Sequence, residues 1–115
     1  MTWKDRSKQI FEQEIAEFQK ISNHLGDEID HAIDMIYTCT GKVVIMGIGK
    51  TGSVGHKLAA SFASTGTPAI FINAAEAMHG DLGMVAPNDI ALLISHSGTS
   101  SEIVNICAPL KNIGA

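Results

Sequence analysis

The sequence lacks the features that mark nucleic-acid-binding, membrane-spanning or secreted proteins. Eight Lys and Arg residues face twelve Asp and Glu residues, a net charge of −4, so no basic stripe exists to neutralise a nucleic-acid backbone. The longest apolar runs are about five residues, whereas a helix needs roughly 20 to span a bilayer. The charged N-terminal segment contains no apolar signal region. We therefore expect a cytoplasmic protein that binds neither nucleic acid nor membranes.

The sequence contains only two cysteines, and the spacing between them excludes the usual metal and redox motifs. The two residues, Cys39 and Cys107, are far apart in the sequence, which predicts reduced thiols. No pair of the five histidines has a convincing metal spacing, so we predict no metal and no cofactor. Neither repeats nor low-complexity segments occur. With 115 residues, 45% hydrophobic and 17% charged, the chain can form one domain at most.

The first 40 residues have the periodicity of amphipathic helices. Apolar side chains recur every three or four positions between Phe11 and Ile36, and Gly26 divides the stretch into two predicted helices. No residue here belongs to a recognisable chemical motif. We expect residues 1–40 to pack as a helical segment against the domain or against a partner subunit.

From Gly41 onward, short apolar runs alternate with helical stretches. Residues 42–46, 68–72 and 90–94 are predicted to form buried strands. Helices are predicted over 53–65 and from the end of a serine-rich loop to about Asn112. This alternation predicts an α/β fold with a doubly wound parallel sheet, preceded by the N-terminal helices. The sequence ends where a crossover helix should lead to another strand, so we expect residues 41–115 to be the N-terminal part of a larger domain.

A glycine-rich loop follows the first predicted strand. The spacing of Gly47, Gly49 and Gly52 matches a dinucleotide fingerprint, and the following helix N-terminus favours an anion. Dinucleotide binding also requires an acidic residue at the end of the second strand, where Asn73 stands instead. A nucleotide P-loop would need glycine in place of Val44. A purely structural role of the glycines in the turn is the remaining alternative.

A second loop, residues 95–101, holds five Ser or Thr side chains in seven positions after the third strand. Hydroxyl and N–H groups at a helix start can surround a phosphate without any net positive charge. Serine and threonine also favour helix starts, so capping alone is the alternative, although capping needs fewer hydroxyls. Ligands of open α/β sheets bind beside the carboxyl ends of the strands, which both loops follow. We therefore predict that the two loops converge on one phosphate.

Four blocks in order carry a family resemblance. Residues 95–102, with the pattern Ser-x-Ser-Gly-Thr-Ser-x-Glu, resemble the phosphate loop of the sugar isomerase (SIS) domain family. Together with residues 47–52, 63–68 and 76–83 they resemble the D-arabinose 5-phosphate isomerases within it. The resemblance implies a flavodoxin-like SIS fold and a dimer or tetramer. It also implies interconversion of D-arabinose 5-phosphate and D-ribulose 5-phosphate through a cis-enediol, feeding synthesis of Kdo for lipopolysaccharide or capsule.

The motifs and the resemblance together assign the site residues. Glu102 is the first candidate for proton transfer, although it could be only a favourable charge at a helix start. Lys50 could reach a sugar oxygen or the phosphate, with a solvated loop lysine as the alternative. His79 could carry protons near neutral pH, with a structural histidine as the alternative. The predicted phosphate- and substrate-binding residues are Gly49, Lys50, Thr51, Ser95, His96, Ser97, Gly98 and Ser100.

The sequence departs from the family pattern in several places. The family more often has Asn at the position of His96 and Glu at that of Thr99. Members usually contain a further glutamate and a histidine in a Ser-His-Pro-Gly block, and many carry paired CBS domains; none of these occurs here. A non-catalytic, regulatory sugar-phosphate-binding domain is therefore the second hypothesis. A nicotinamide-dependent dehydrogenase, based on the glycine pattern alone, is the third.

Overall fold

The computed structural model describes all residues from Met1 to Ala115, which form two compact units, 1–34 and 35–115. The first unit contains helix α1 (Trp3–Asn23) and most of helix α2 (Asp27–Tyr37), so the predicted division into two helices is confirmed. Thr2 begins α1 with a reciprocal cap, because its hydroxyl accepts from the Asp5 N–H and its own N–H donates to the Asp5 carboxylate. The predicted packing of this segment on the domain or a partner stays a prediction.

The second unit contains the three predicted strands and the helices between them. Each strand lies within one residue of its predicted bounds, whereas the first helix begins three residues earlier than predicted, at Lys50. In chain order the elements are β1 (Val43–Gly47), α3 (Lys50–Ser64), β2 (Ala69–Asn73), α4 (Ala74–Ala77), a 3₁₀ helix (Asp81–Met84), β3 (Ile90–Leu93) and α5 (Ser101–Ile113). None of the helices in either unit combines the length and the apolar character needed to cross a membrane.

The three strands are parallel and lie in the order β2-β1-β3. Val43 at the start of β1 pairs with Ala69 on one side and with Ile90 on the other. The chain therefore moves from β1 to one edge of the sheet and then returns to the opposite side of β1. Such a reversal opens a crevice beyond the carboxyl ends of the two strands that flank it, here β1 and β3.

Helices cover both faces of the sheet, which confirms the doubly wound prediction. Side chains alternate along a strand, and in β1 both sets are buried. Val43 and Ile45 pack with Ala59 of α3 in one apolar cluster. Val44 and Met46 belong to the cluster on the other face, together with residues of α4 and α5. Burial on both faces explains why β1 is continuously apolar rather than alternating.

At the amino end of the sheet, a buried carboxylate joins β1 to β3. Asp89 is 3% exposed and accepts hydrogen bonds from the Lys42 N–H (2.9 Å), the Lys42 ammonium (2.6 Å) and the Ala86 N–H (2.7 Å). Burial alone would raise the pKa of Asp89, but the hydrogen bonds and charge of Lys42 and the Ala86 N–H hold it below its ordinary value. Each of these three donors therefore meets a charged acceptor.

Candidate phosphate site

A cavity of about 280 Å³ lies between the loops that follow β1 and β3. It occupies the crevice that the strand order creates, and its volume is near the lower end of the usual range for ligand sites, about 300–1,000 Å³. A small ligand such as a sugar phosphate suits this size. The lining residues are Ile48, Thr51, Ile94, Ser95, His96, Ser97, Ser100, Glu102 and Ile103.

The first loop is a tight turn closed by a threonine. Gly49 has φ +60° and ψ −124°, the values of the first central residue of a type II′ turn, which side-chain-bearing residues rarely adopt. The Thr51 hydroxyl donates to the Ile48 carbonyl (2.8 Å) and accepts from the Ile48 N–H (3.1 Å). The glycine therefore permits the turn, and the threonine holds it.

Lys50 is the first residue of α3 and is exposed, outside the cavity lining. A cation at a helix N-terminus opposes the helix dipole, and the first turn of α3 contains no acidic residue. The helix cap at Gly49 provides no side-chain acceptor for the first N–H groups. The start of α3 therefore combines N–H groups that have no side-chain acceptor with a nearby ammonium group, a combination that favours an anion.

The serine loop uses two of its hydroxyl oxygens to hold itself. The Ser95 oxygen accepts from the Gly98 N–H (2.9 Å), and the Ser97 oxygen accepts from the Thr99 N–H (3.2 Å). The hydroxyls of Ser97 and Thr99 are also 3.2 Å apart. Gly98 is not a lining residue, and its N–H bonds within the loop, so its part in this conformation is to shape the turn.

The start of α5 brings a serine and a carboxylate to the same cavity. Ser100 is the N-cap residue of α5, yet its side chain makes no capping hydrogen bond. Capping therefore does not explain this hydroxyl, which is half-buried and lines the cavity. Glu102 lies in the first turn, exposed, and accepts from the Ser101 hydroxyl at 3.3 Å. The candidate for proton transfer thus shares a cavity with the candidate phosphate loop.

His79 lies between α4 and the 3₁₀ helix, exposed and outside the lining. Because α4 follows β2 directly, this histidine belongs to a connection that leaves the same edge of the sheet as the two loops. Six of the ten predicted site residues line the cavity, and four lie outside its lining. The roles assigned to all ten residues stay predictions. Those in the lining are Thr51, Ser95, His96, Ser97, Ser100 and Glu102; those outside are Gly49, Lys50, His79 and Gly98.

Sequence reasoning missed the apolar part of the cavity. Ile48, Ile94 and Ile103 line it beside the polar residues. Ile48 lies within the glycine-rich loop, and Ile94 ends the apolar run that precedes the serine loop. The only sequence feature that could have indicated an apolar wall was therefore the position of an isoleucine within or next to a predicted binding loop. No three side chains among His, Cys, Asp and Glu converge closely enough to hold a metal ion.

Asn73, which weakened the dehydrogenase hypothesis, has a structural role. Its side-chain oxygen accepts from the Ala75 N–H at 2.9 Å and caps α4. At the position where a dinucleotide site places a carboxylate for the ribose, this chain therefore has an amide that is already bonded to the backbone.

Comparison with known proteins decides the family. The SIS domain family matches residues 35–115. The chain belongs to the SIS domain family. It is 47% identical to the arabinose 5-phosphate isomerase KdsD of Yersinia pestis over 104 aligned residues. The alignment covers 90% of this chain and 32% of the relative. The identity to KdsD of Escherichia coli K12 is also 47%, over 94 residues, covering 82% of the chain and 29% of the relative.

A solved structure of a similar protein has the same fold. The structure of an Escherichia coli CFT073 protein in complex with arabinose 5-phosphate superposes with a TM-score of 0.87 at 41% sequence identity, covering 99% of this chain and 62% of that one. The family resemblance predicted from four sequence blocks is therefore confirmed. This chain spans about a third of the length of the curated relatives described above.

Proposed function

We propose that this SIS domain binds D-arabinose 5-phosphate and interconverts it with D-ribulose 5-phosphate as an aldose–ketose isomerase. The observation that carries the proposal is one cavity at the strand-order reversal, lined by the serine loop and by Glu102. The names of the relatives and the ligand of the structural neighbour support the same substrate. By resemblance, the proposed setting is a cytoplasmic homo-oligomer, a dimer or tetramer, whose product feeds Kdo synthesis for lipopolysaccharide or capsule.

The proposed reaction moves a proton between C2 and C1 of the open-chain sugar. A base removes the C2 proton of the aldose to give a cis-enediol, and delivery of a proton to C1 gives the ketose. Glu102 is the proposed base, Lys50 the proposed partner of the developing oxyanion, and His79 a proposed proton carrier at the sugar oxygens. The serine loop would bind the phosphate, so that binding energy remote from the reacting carbons orients them.

The test separates binding from turnover. In the full-length protein we expect Glu102→Gln to lower the rate of ribulose 5-phosphate formation about 10²- to 10⁴-fold, because a positioned base contributes that much. Binding of arabinose 5-phosphate, measured by calorimetry, should stay within a few-fold of wild type. Glu28→Gln in α2, outside the cavity lining, is the matched control and should leave both quantities unchanged. Wild-type turnover in the Glu102→Gln variant would remove Glu102 from the mechanism.

A regulatory, non-catalytic SIS domain is the second candidate. The observation that favours it is that Lys50 and His79 lie outside the lining, so the cavity of this chain holds only one of the three proposed catalytic side chains. This candidate requires that the wild-type protein bind the sugar phosphate without converting it. Binding without turnover, unaffected by Glu102→Gln, would establish the regulator and exclude the enzyme.

A further inference from the structure

The cavity is lined by only two side chains that can carry a charge, Glu102 and His96. The other lining side chains are those of serine, threonine and isoleucine. A carboxylate opposes a phosphate group, whereas an imidazole gains a positive charge somewhere between about pH 5 and pH 8. His96 is therefore the lining side chain that can offset the charge of a bound anion.

The ring of His96 is free to bind a ligand. The two hydrogen bonds from backbone N–H groups that shape the serine loop use the hydroxyl oxygens of Ser95 and Ser97 as acceptors, and the exposed His96 ring takes part in neither. His24 provides the contrast, because its Nδ1 atom lies 2.7 Å from the Lys20 carbonyl of its own helix. A change in the charge of His96 therefore breaks no hydrogen bond that holds the loop.

The elements that surround the cavity present few other charges to His96. Helix α5 contributes Glu102 to the lining. Lys50 at the start of α3 and His79 after α4 are exposed and lie outside the lining, as do all other charged residues of these elements. A protonated His96 thus balances the charge of Glu102 within the cavity, whereas a neutral His96 leaves that charge unopposed there.

A bound phosphate favours the protonated form of a histidine beside it. Near neutral pH a phosphate monoester is mostly a dianion. A negative charge within about 6 Å favours a charged imidazole, and a charged N–H group forms a stronger hydrogen bond to a phosphate oxygen than a neutral one does. Because linkage is reciprocal, a ligand that favours the protonated ring makes the protein take up a proton, and a lower pH strengthens binding of that ligand.

We propose that His96 is a phosphate ligand that takes up a proton from the solvent when a sugar phosphate binds, so that the affinity of the site depends on pH. This inference rests on the proposed sugar-phosphate function and adds regulation by pH to the same site. The imidazolium lies against the anion that the serine loop and the start of α3 hold between them. The proton binds the unprotonated ring nitrogen, and no bond of the sugar changes.

The experiment counts protons on the full-length protein, by calorimetry in buffers that differ in ionisation enthalpy. The ligands are sulfate and arabinose 5-phosphate. Sulfate does not titrate near neutral pH, so a proton taken up with it goes to the protein, and we expect about 0.4 proton per bound sulfate near pH 7. In His96→Asn, which keeps a polar but neutral side chain, this uptake should disappear.

The affinity for arabinose 5-phosphate provides a second readout. We expect the ratio of wild-type to His96→Asn affinity to rise about fivefold between about pH 8.5 and pH 6, the effect of an exposed ion pair of roughly 1 kcal/mol. The ratio removes most of the ligand's own titration, because both proteins bind the same ligand.

Three further variants serve as controls. His31→Asn replaces an exposed histidine of α2 outside the lining and should keep the proton count and the pH dependence of wild type. Glu102→Gln removes the other ionisable group of the lining and should keep the proton uptake. His96→Gln repeats the test with a second neutral side chain if His96→Asn does not fold.

The contrary results are distinct. Proton uptake that persists in His96→Asn, or that disappears in Glu102→Gln, assigns the proton to another group and overturns the inference. An equal loss of affinity at every pH in His96→Asn makes His96 a neutral hydrogen-bond donor and also overturns it. Wild type that takes up no proton with sulfate overturns it without any variant. If wild type binds arabinose 5-phosphate no better than sulfate, the proposed function fails, whereas the proton count with sulfate still decides the role of His96.

Discussion

The two ends of the sheet differ in how completely their hydrogen bonds are satisfied. At the amino end, the buried carboxylate of Asp89 accepts from two backbone N–H groups and the Lys42 ammonium. At the carboxyl end, Ser95 keeps a proton, Ser100 makes no capping bond and Thr51 keeps a lone pair. Buried polar groups with all partners present stabilise a fold, whereas hydrogen-bonding capacity left beside a cavity is available to a ligand. We therefore expect substitutions at the amino end to change stability and those at the carboxyl end to change binding.

The largest expected effect is the loss of the Asp89 carboxylate. Asp89→Ala leaves two N–H groups and the Lys42 ammonium without their acceptor, and we expect the free energy of unfolding to fall by about 3 kcal/mol. Chemical denaturation measures this change. Glu12→Ala on the exposed surface of α1 is the control, with an expected change within about 0.5 kcal/mol. Sugar-phosphate affinity of the folded variant should match wild type, and a large loss of affinity would break the separation between the two ends.

Lowering the pH tests how much the charge of Asp89 contributes to stability. The pKa of Asp89 is held below its ordinary value of 3.8, so the ionised carboxylate stabilises the folded state above that value. This contribution is lost as the pH falls below 3.8 and through the lowered native pKa. The stability difference between wild type and Asp89→Asn should therefore shrink between about pH 5 and pH 2. A difference that stays constant over this range would show that the charge contributes nothing.

The next effect concerns the packing of α3, the helix that carries Lys50 and Thr51. A Cβ atom at Gly55 would lie 2.8 Å from a ring carbon of Phe71 and 3.2 Å from Ile45 Cγ2. We expect Gly55→Ala to lower the free energy of unfolding by about 2 kcal/mol, because the helix must move away from the sheet.

A matched glycine provides the control for this substitution. A Cβ atom at Gly83, in the 3₁₀ helix, would meet no atom within 4 Å. Gly83→Ala should therefore be neutral or slightly stabilising, by up to about 1 kcal/mol. Equal destabilisation by both substitutions would show that contact with Phe71 is not the cause. A loss of binding in Gly55→Ala alone would show that the first loop depends on how closely α3 approaches the sheet.

The sheet and the position of the two loops at its carboxyl edge could be predicted because their signals are local. The apolar run of β1, with Gly41 before it and Gly47 at its end, has few alternatives to a buried strand. A strand followed by a glycine- or serine-rich loop and then a helix also places that loop at the carboxyl edge of a parallel sheet. The start of α3 was predicted too late, because Gly52 and its neighbours have low helix propensity and tertiary packing overrides it.

Other features depend on contacts that the sequence does not show. Asp89 and Lys42 are separated by 47 positions, and neither side chain is unusual by itself. The Thr51 hydroxyl bonds back to the Ile48 backbone through a tight turn, and the residue type alone does not reveal these two hydrogen bonds. Likewise, the positions of Lys50 and His79 relative to the cavity are properties of the fold that their residue types do not determine.

The smallest effect compares two helix starts that have the same kind of residue. Thr2 caps α1 through its side chain, whereas Ser100 stands at the cap of α5 without a capping bond. Thr2→Ala should therefore lower the free energy of unfolding by about 1 kcal/mol without changing phosphate affinity. Ser100→Ala should weaken phosphate binding about tenfold, the size of a hydrogen bond to a charged group, without changing stability. If Ser100→Ala instead destabilises the fold and leaves the affinity intact, its hydroxyl belongs to the helix, and the serine loop would lose one of its donors.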